Sequence, residues 1–113
     1  MFTNSIPQFP NFSRQGIPAA KPEQTNPAPE LYPQPKNPPQ GWGLTFFMTI
    51  EEGPTGRGKN TGHWAGLANL FWWCDREKGV AGMIASQVLP FGNLDVMTQW
   101  GQCEALVYQG LGK

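Results

Sequence analysis

The spacing of apolar positions divides this chain into strand-like and helix-like parts. Four runs are predicted to be β-strands: Trp42–Glu51, which is rich in aromatic and β-branched residues, and Gly62–Ala68, Asn69–Asp75 and Val80–Val88. The run Asn69–Asp75 is apolar at both odd and even positions, which predicts an interior strand covered on both faces. Short turns between these runs predict an antiparallel meander of three to four strands.

Helical spacing replaces the strand pattern after Pro90. Asn93 can cap a helix over Leu94–Gly110. The apolar side of this helix recurs every three or four residues, at Val96, Trp100, Cys103, Val107 and Leu111. Its polar side carries Asp95, Gln99, Gln102 and Gln109. We therefore expect an α+β fold in which the C-terminal helix lies on one face of the sheet.

Residues 1–40 differ in composition from residues 41–113. Ten of the twelve prolines lie in this first part, where they exclude a helix and favour an extended, polyproline-like segment. Apolar side chains are spaced along it as anchors for a globular surface: Phe2, Ile6, Phe9, Phe12, Ile17, Leu31 and Tyr32. The expected organisation is a proline-rich connector, 1–40, followed by a sheet-and-helix part, 41–113.

Charge and composition exclude several classes of partner. Eight basic and eight acidic residues give a formal net charge of zero, so nucleic acid is not an expected partner. No apolar run is long enough to span a bilayer, and no signal peptide is visible, so we expect a cytoplasmic protein without membrane contact. Cys74 and Cys103 are expected to be buried, reduced thiols.

Two local patterns suggest chemistry that their surroundings do not support. Gly53–Asn60 nearly matches a phosphate-binding loop, but Asn60 stands where that loop has Ser or Thr, and a strand pattern follows instead of a helix. A flexible hairpin loop is the better interpretation. His63 is the only histidine and has no second ligand at useful spacing, so no metal and no cofactor are expected, and a structural or surface role is its default.

Six aromatic residues could suggest a ligand-stacking surface: Trp42, Trp64, Phe71, Trp72, Trp73 and Trp100. Aromatic residues in strands of this pattern are more often part of the core, because each buries a large apolar area. Trp64 is the exception, since it precedes a pair of small residues.

Several phrases occur in the order found in a known family, and together they cover nearly the whole chain: Ile6–Pro10, Pro18–Pro22, Leu31–Pro35, Gln40–Leu44, His63–Gly66, Asn69–Trp73 and Gly79–Gln87. They resemble the C-terminal portion of serine β-lactamase-related enzymes, the class C-like esterases and fungal transesterases. The resemblance implies a partial β-lactamase/transpeptidase-like fold. It also implies acyl transfer in the complete enzyme, through a Ser-Lys-Tyr site.

The resemblance assigns roles to one motif of this chain. Trp64, Ala65 and Gly66 align with the family's inner-strand motif, and with His63 they would line the substrate site. Ala65 stands where related enzymes have Thr, which favours ester or acyl-carrier substrates over β-lactams. The backbone N–H of Leu67 would be one of the two oxyanion donors that acyl transfer needs. No Ser-x-x-Lys, the source of the nucleophile and base, occurs in the chain.

Three functional hypotheses follow. The first is a C-terminal fragment of such a hydrolase or acyltransferase, inactive alone, with an acyl or ester substrate and a complementary N-terminal fragment as partners. The second is a non-catalytic interaction module that binds through its proline-rich segment or its exposed sheet. The third is a truncated gene product with no independent function. For the isolated chain we expect insoluble, molten or oligomeric behaviour, because an uncovered sheet face and edge promote association.

Overall fold

The computed structural model describes residues 1–16, 18–27 and 34–112. Its elements, in chain order, are β1 (Gln40–Trp42), β2 (Phe47–Thr49), β3 (Gly62–Gly66), β4 (Leu70–Asp75), β5 (Val80–Ile84) and α1 (Leu94–Leu111). All neighbouring strands are antiparallel, and the sheet follows chain order from β1 to β5. The α+β fold with a C-terminal helix is therefore confirmed, with five strands instead of three to four.

The extra strand comes from the run Trp42–Glu51, which was wrongly predicted as one strand. Residues 43–46 form a turn closed by a hydrogen bond from the Gly43 N–H to the Phe46 carbonyl (2.8 Å). This turn joins β1 to β2 as a hairpin and leaves the Leu44 side chain 68% exposed. The apolar pattern did not reveal the turn because its residues are as apolar as those of the strands.

Helix α1 packs on one face of the sheet. Asn93 caps it, since its side-chain oxygen accepts hydrogen bonds from the N–H groups of Asp95 and Val96 (3.1 Å each). The core between helix and sheet consists of five buried residues: Phe71, Trp73, Val96, Trp100 and Tyr108. The buried side of α1 differs from the predicted one, because Glu104 and Tyr108 lie inward while Val107 and Leu111 are exposed.

The opposite face of the sheet is only partly covered. Along β4, Phe71, Trp73 and Asp75 are buried under α1, whereas the alternating residues Leu70, Trp72 and Cys74 are partly exposed. The prediction that this strand is covered on both faces is therefore wrong, although its interior position in the sheet is right. Cys74 and Cys103 are both free thiols and are partly exposed instead of buried.

The proline-rich segment lies against β1 and the start of α1. Before Gln40 the described residues contain no strand or helix, apart from an isolated bridge between Thr25 and Phe91. Two of the predicted anchors reach the sheet: the Phe2 ring lies 4.8 Å from the Phe46 ring, and the Phe12 ring lies 5.3 Å from the Phe47 ring. The Phe9 side chain is 57% exposed. Three other predicted anchors, Ile17, Leu31 and Tyr32, fall outside the described residues.

Candidate functional site

The motif His63–Gly66 lies on β3, the middle strand of the sheet. Successive side chains of a strand point to opposite faces, so the motif is divided between two environments. Ala65 packs against the core under α1, and His63 is 3% exposed. Trp64 and Gly66 lie on the face opposite α1. The structure therefore separates the four residues predicted to bind substrate into two pairs.

Trp64 belongs to an aromatic surface on the face opposite α1. Its cross-strand partner on β4 is Trp72, which lies on the same face. The Trp42 ring, which the strand register places on the face of Phe47 and His63, meets the Trp64 ring edge-on with 4.8 Å between centroids. The Phe46 ring contacts the Trp72 ring in the same manner at 5.9 Å. Trp42, Trp64 and Trp72 are partly exposed and Phe46 is buried, and together these rings form an apolar wall.

The β3–β4 turn, which contains Leu67, borders the end of this wall. The Leu67 side chain is 52% exposed, and its N–H takes part in none of the loop and turn hydrogen bonds of the described residues. Leu67, Leu70 and Leu89 line a shallow depression of about 570 Å³ beside the turn. Ala68, Ala85, Ser86 and Gln87 complete its lining, which is mostly apolar.

Asn69 holds the β3–β4 turn in place. Its side chain is fully buried and its φ is +56°. The side-chain amide nitrogen donates to the carbonyls of Val88 (2.7 Å) and Pro90 (2.9 Å), and the side-chain oxygen accepts from the N–H groups of Gly92 (2.9 Å) and Asn93 (3.1 Å). This single side chain therefore fixes the Leu67 turn relative to the start of α1.

Ser86 lines the same depression but is not poised as a nucleophile. Its hydroxyl lies 2.6 Å from the Ala68 carbonyl, to which it donates, and 3.1 Å from the Asn69 carbonyl. The histidine is on β3 with its side chain on the α1 side of the sheet, where it packs against the Phe47 ring (5.1 Å). A serine–base pair is therefore not assembled around Ser86.

His63 lies at the floor of a cleft of about 530 Å³ between the proline-rich residues 34–39 and α1. Burial lowers the pKa of His63 well below its ordinary value of 6.5, and the positive charge of Arg57 lowers the pKa further. The imidazole is therefore neutral at physiological pH. Its structural role agrees with the default interpretation, and a direct contact with substrate stays a prediction.

A buried polar cluster next to His63 was missed by the sequence reasoning. Arg57 forms an ion pair with Glu104 of α1, with its Nε donating to Glu104 Oε1 at 2.7 Å. The Thr55 hydroxyl donates to the same oxygen at 2.7 Å. The Arg57 guanidinium also lies 5.1 Å from the centre of the Trp100 ring. The loop predicted as a flexible hairpin is a hairpin connection that these contacts hold against α1.

Asp75 forms the second half of this cluster. Burial alone would raise its pKa, but hydrogen bonds from the N–H groups of Lys78 and Gly58 and from the Tyr108 hydroxyl hold the pKa of Asp75 below 3.8. Burial and the hydrogen bond to Asp75 raise the pKa of Tyr108 above its ordinary value of 10. The cluster therefore joins the 53–61 loop, the β4–β5 turn and α1.

One signal for this cluster was present in the sequence. Glu104 and Tyr108 lie four and eight residues after Trp100, at the spacing of a single helix face, and Arg57 is among the few charged residues of a Gly-rich loop. An apolarity pattern alone assigns polar residues to the solvent side. It therefore placed Val107 on the buried side of the helix, where the structure has Glu104 and Tyr108. A test for polar residues at the same helical spacing would have found both positions.

The described residues contain no group of three or more His, Cys, Asp or Glu side chains suited to hold a metal ion. No helix follows the phosphate-loop-like sequence within these ranges; β3 does. Nor does any helix there have both the length and the apolar character needed to cross a bilayer.

Comparison with known proteins relates part of the chain to an acyltransferase. A segment of 33 residues, 29% of this chain, is 52% identical to the acyltransferase calJ of Penicillium decumbens. That segment corresponds to 8% of the length of calJ, so the chain matches a small part of this relative. No protein-family model matches the sequence, and no solved structure matches it. The similarity supports a relationship to acyltransferases in general.

Proposed function

We propose that this chain is part of an acyl-transferring enzyme of the serine β-lactamase-related class, in which it supplies one wall of the acyl site. The observation that carries the proposal is the 52% identity to an acyltransferase over 33 residues. The motif Trp64-Ala65-Gly66 lies on the middle strand, and the proposal gives its exposed face the role that the family resemblance implies.

The residues of the motif would have different roles, because they lie on two faces of the sheet. Trp64 and Gly66 lie on the face opposite α1, next to the apolar depression at Leu67, so this face would receive the acyl or ester substrate. Ala65 lies under α1, away from this face. The Leu67 N–H would be one oxyanion donor, and a second donor must come from elsewhere.

The nucleophile and its base would come from a complementary N-terminal part. Covalent acyl transfer needs a nucleophile within hydrogen-bond reach of a base. The chain has no Ser-x-x-Lys, and Ser86 donates its hydroxyl hydrogen to the Ala68 carbonyl. The chain by itself would therefore leave an activated ester unreacted.

The test is complementation. The purified chain alone, with an activated aryl ester as substrate, should show no hydrolysis above its Ser86→Ala variant. Mixed with the N-terminal part of an acyltransferase relative, it should restore turnover. Leu67→Pro should abolish the restored activity because it removes the N–H, whereas Leu67→Ala keeps that donor and should retain activity. Thermal melts of both variants check that the turn still folds.

Two results would contradict the proposal. One is turnover by the isolated chain that is lost in His63→Ala, which would give the histidine a catalytic role on the other face. The other is restored activity that does not depend on the Leu67 N–H.

A further inference from the structure

The turn that carries the proposed oxyanion donor is short. Strand β3 ends at Gly66 and β4 begins at Leu70, so residues 67–69 alone join the two strands. The last of them, Asn69, has a φ of +56°, the left-handed conformation that commonly closes three-residue hairpin loops and that Asn tolerates. The direction of the Leu67 N–H therefore depends on how firmly this turn is held.

The segment 86–93, named here the 86–93 clamp, holds the turn through several hydrogen bonds. The Ser86 hydroxyl donates to the Ala68 carbonyl at 2.6 Å, and the Val88 N–H donates to the same carbonyl at 3.4 Å. The Asn69 side chain adds four hydrogen bonds to backbone groups further along the clamp. The two residues that follow Leu67 are thus both bonded to the 86–93 clamp.

The proline-rich segment is bonded to the same clamp. The Phe91 N–H donates to the Gln24 carbonyl (2.7 Å), and the Asn26 N–H donates to the Phe91 carbonyl (2.8 Å). These two bonds form the parallel bridge between Thr25 and Phe91. The Asn26 side-chain amide also donates to the Gly92 carbonyl at 3.1 Å. The clamp therefore connects residues 24–26 with the turn that contains Leu67.

We infer that the 86–93 clamp positions the Leu67 N–H for acyl transfer. Asn69 and Ser86 are its positioning residues, and residues 24–26 support the clamp from the proline-rich segment. This inference rests on the proposed function, which gives the Leu67 N–H an oxyanion to bind. An oxyanion donor acts only within about 2.7–3.1 Å of the developing charge, and a displacement of about 1 Å can cost a hundredfold in rate. The proline-rich segment is thus part of the support of the site.

The Asn69 side chain does more than its backbone conformation requires. Asn60 has a similar φ of +62°, but it is exposed and its side chain donates to Glu77 at the surface (3.2 Å). A left-handed Asn therefore needs no buried network. The fully buried network of Asn69 joins the turn to a segment about 20 residues later, which fixes where the turn lies.

The experiment uses the complementation mixture, with the N-terminal part of the acyltransferase relative in excess and an activated aryl ester as substrate. Asn69→Gly, which permits the left-handed backbone but removes the amide, and Ser86→Ala should each lower kcat about tenfold or more and leave KM within about twofold. Ser86→Thr restores a hydroxyl and should recover kcat. Asn60→Gly is the matched control and should keep the kcat of the wild type. All assays are run below the melting transition of each variant.

A boronic acid separates positioning from general stability. An aryl boronic acid forms a tetrahedral adduct with a nucleophilic hydroxyl and places an oxygen where the oxyanion develops. Its inhibition constant should rise in parallel with the loss of kcat in Asn69→Gly and Ser86→Ala, because both measure binding to the transition state. A merely structural role would lower the melting temperature without this parallel.

Asn26 tests the support from the proline-rich segment. Asn26→Pro removes the N–H that donates to the Phe91 carbonyl, whereas Asn26→Ala keeps it, and both lose the side-chain amide. Asn26→Pro should lower kcat at least about threefold below Asn26→Ala, with KM unchanged. Equal kcat values for the two variants would overturn the role of residues 24–26.

The outcomes distinguish this inference from the proposed function. Turnover that Leu67→Pro abolishes, but that Asn69→Gly and Ser86→Ala leave at the kcat of the wild type, would overturn the inference and support the proposed function. Variants that raise KM alone would overturn it as well. Absence of turnover in the wild-type mixture would overturn the proposed function, and the inference with it.

Discussion

Replacing Asn69 should strongly destabilise the fold, because its side chain holds the β3–β4 turn against the start of α1. The side chain is fully buried and makes four hydrogen bonds to backbone groups between Val88 and Asn93. Its backbone is in the left-handed region, with φ at +56°. Two separate costs therefore follow from its removal.

The two costs can be separated by comparing glycine with alanine. A typical intramolecular hydrogen bond contributes about 1 kcal/mol, so Asn69→Gly should lower the free energy of unfolding by about 4 kcal/mol. Asn69→Ala loses the same bonds and keeps a Cβ in the left-handed region without the Asn amide that favours this conformation, so it should cost about 1 kcal/mol more than Asn69→Gly. Asn60 is the matched control, because it has a similar φ of +62° but is exposed and makes one side-chain hydrogen bond, to Glu77. Asn60→Gly should cost little, and Asn60→Ala about 1 kcal/mol.

Urea unfolding at a fixed protein concentration, followed by tryptophan fluorescence, measures all four variants. The concentration is held constant because any self-association would add to the apparent stability. The reasoning is refuted if Asn69→Gly costs no more than Asn60→Gly, since the four hydrogen bonds would then contribute nothing. An equal cost for glycine and alanine at position 69 would refute the backbone argument alone.

Three further predictions concern the core and the polar cluster. Glu104→Gln leaves a buried guanidinium without its carboxylate and should destabilise the fold by about 3 kcal/mol in urea unfolding. Replacing both partners of the ion pair, Arg57 with methionine and Glu104 with leucine, should be nearly neutral in the same measurement. Because the pKa of His63 is low in the folded chain, the unfolded chain binds a proton more readily below pH 6.5. The free energy of unfolding should therefore fall with decreasing pH, by at most about 1.4 kcal/mol per pH unit. His63→Gln should remove this slope in unfolding curves measured from pH 7.5 to pH 5. Gly82→Ala should cost about 1–3 kcal/mol through collision with Trp73, while Gly101→Ala, where nothing lies within 4 Å of the added Cβ, should raise the melting temperature; equal effects would contradict the packing argument.

The sequence by itself determined the elements whose local signals are unambiguous. Short apolar runs bounded by turn residues located β3, β4 and β5, and the Asn93 cap with helical spacing located α1, because these signals arise within a few residues of the chain. The motif His63–Gly66 could be assigned to a strand for the same reason, whereas its inner position was implied by the family resemblance. Proline content also predicted the absence of helix in the described part of residues 1–39.

Tertiary structure decided what depends on residues distant along the chain. The turn within Trp42–Glu51 is apolar, so only the pairing of β1 with β2 revealed it. Glu104 is buried because Arg57, 47 residues earlier, supplies the compensating charge, and no local pattern contains that information. The division of the motif between two faces and the cover of the β1 edge follow from where the helix and the N-terminal segment pack. Burial, pairing and charge compensation are properties of the assembled sheet, so they emerge only once its faces and edges are in place.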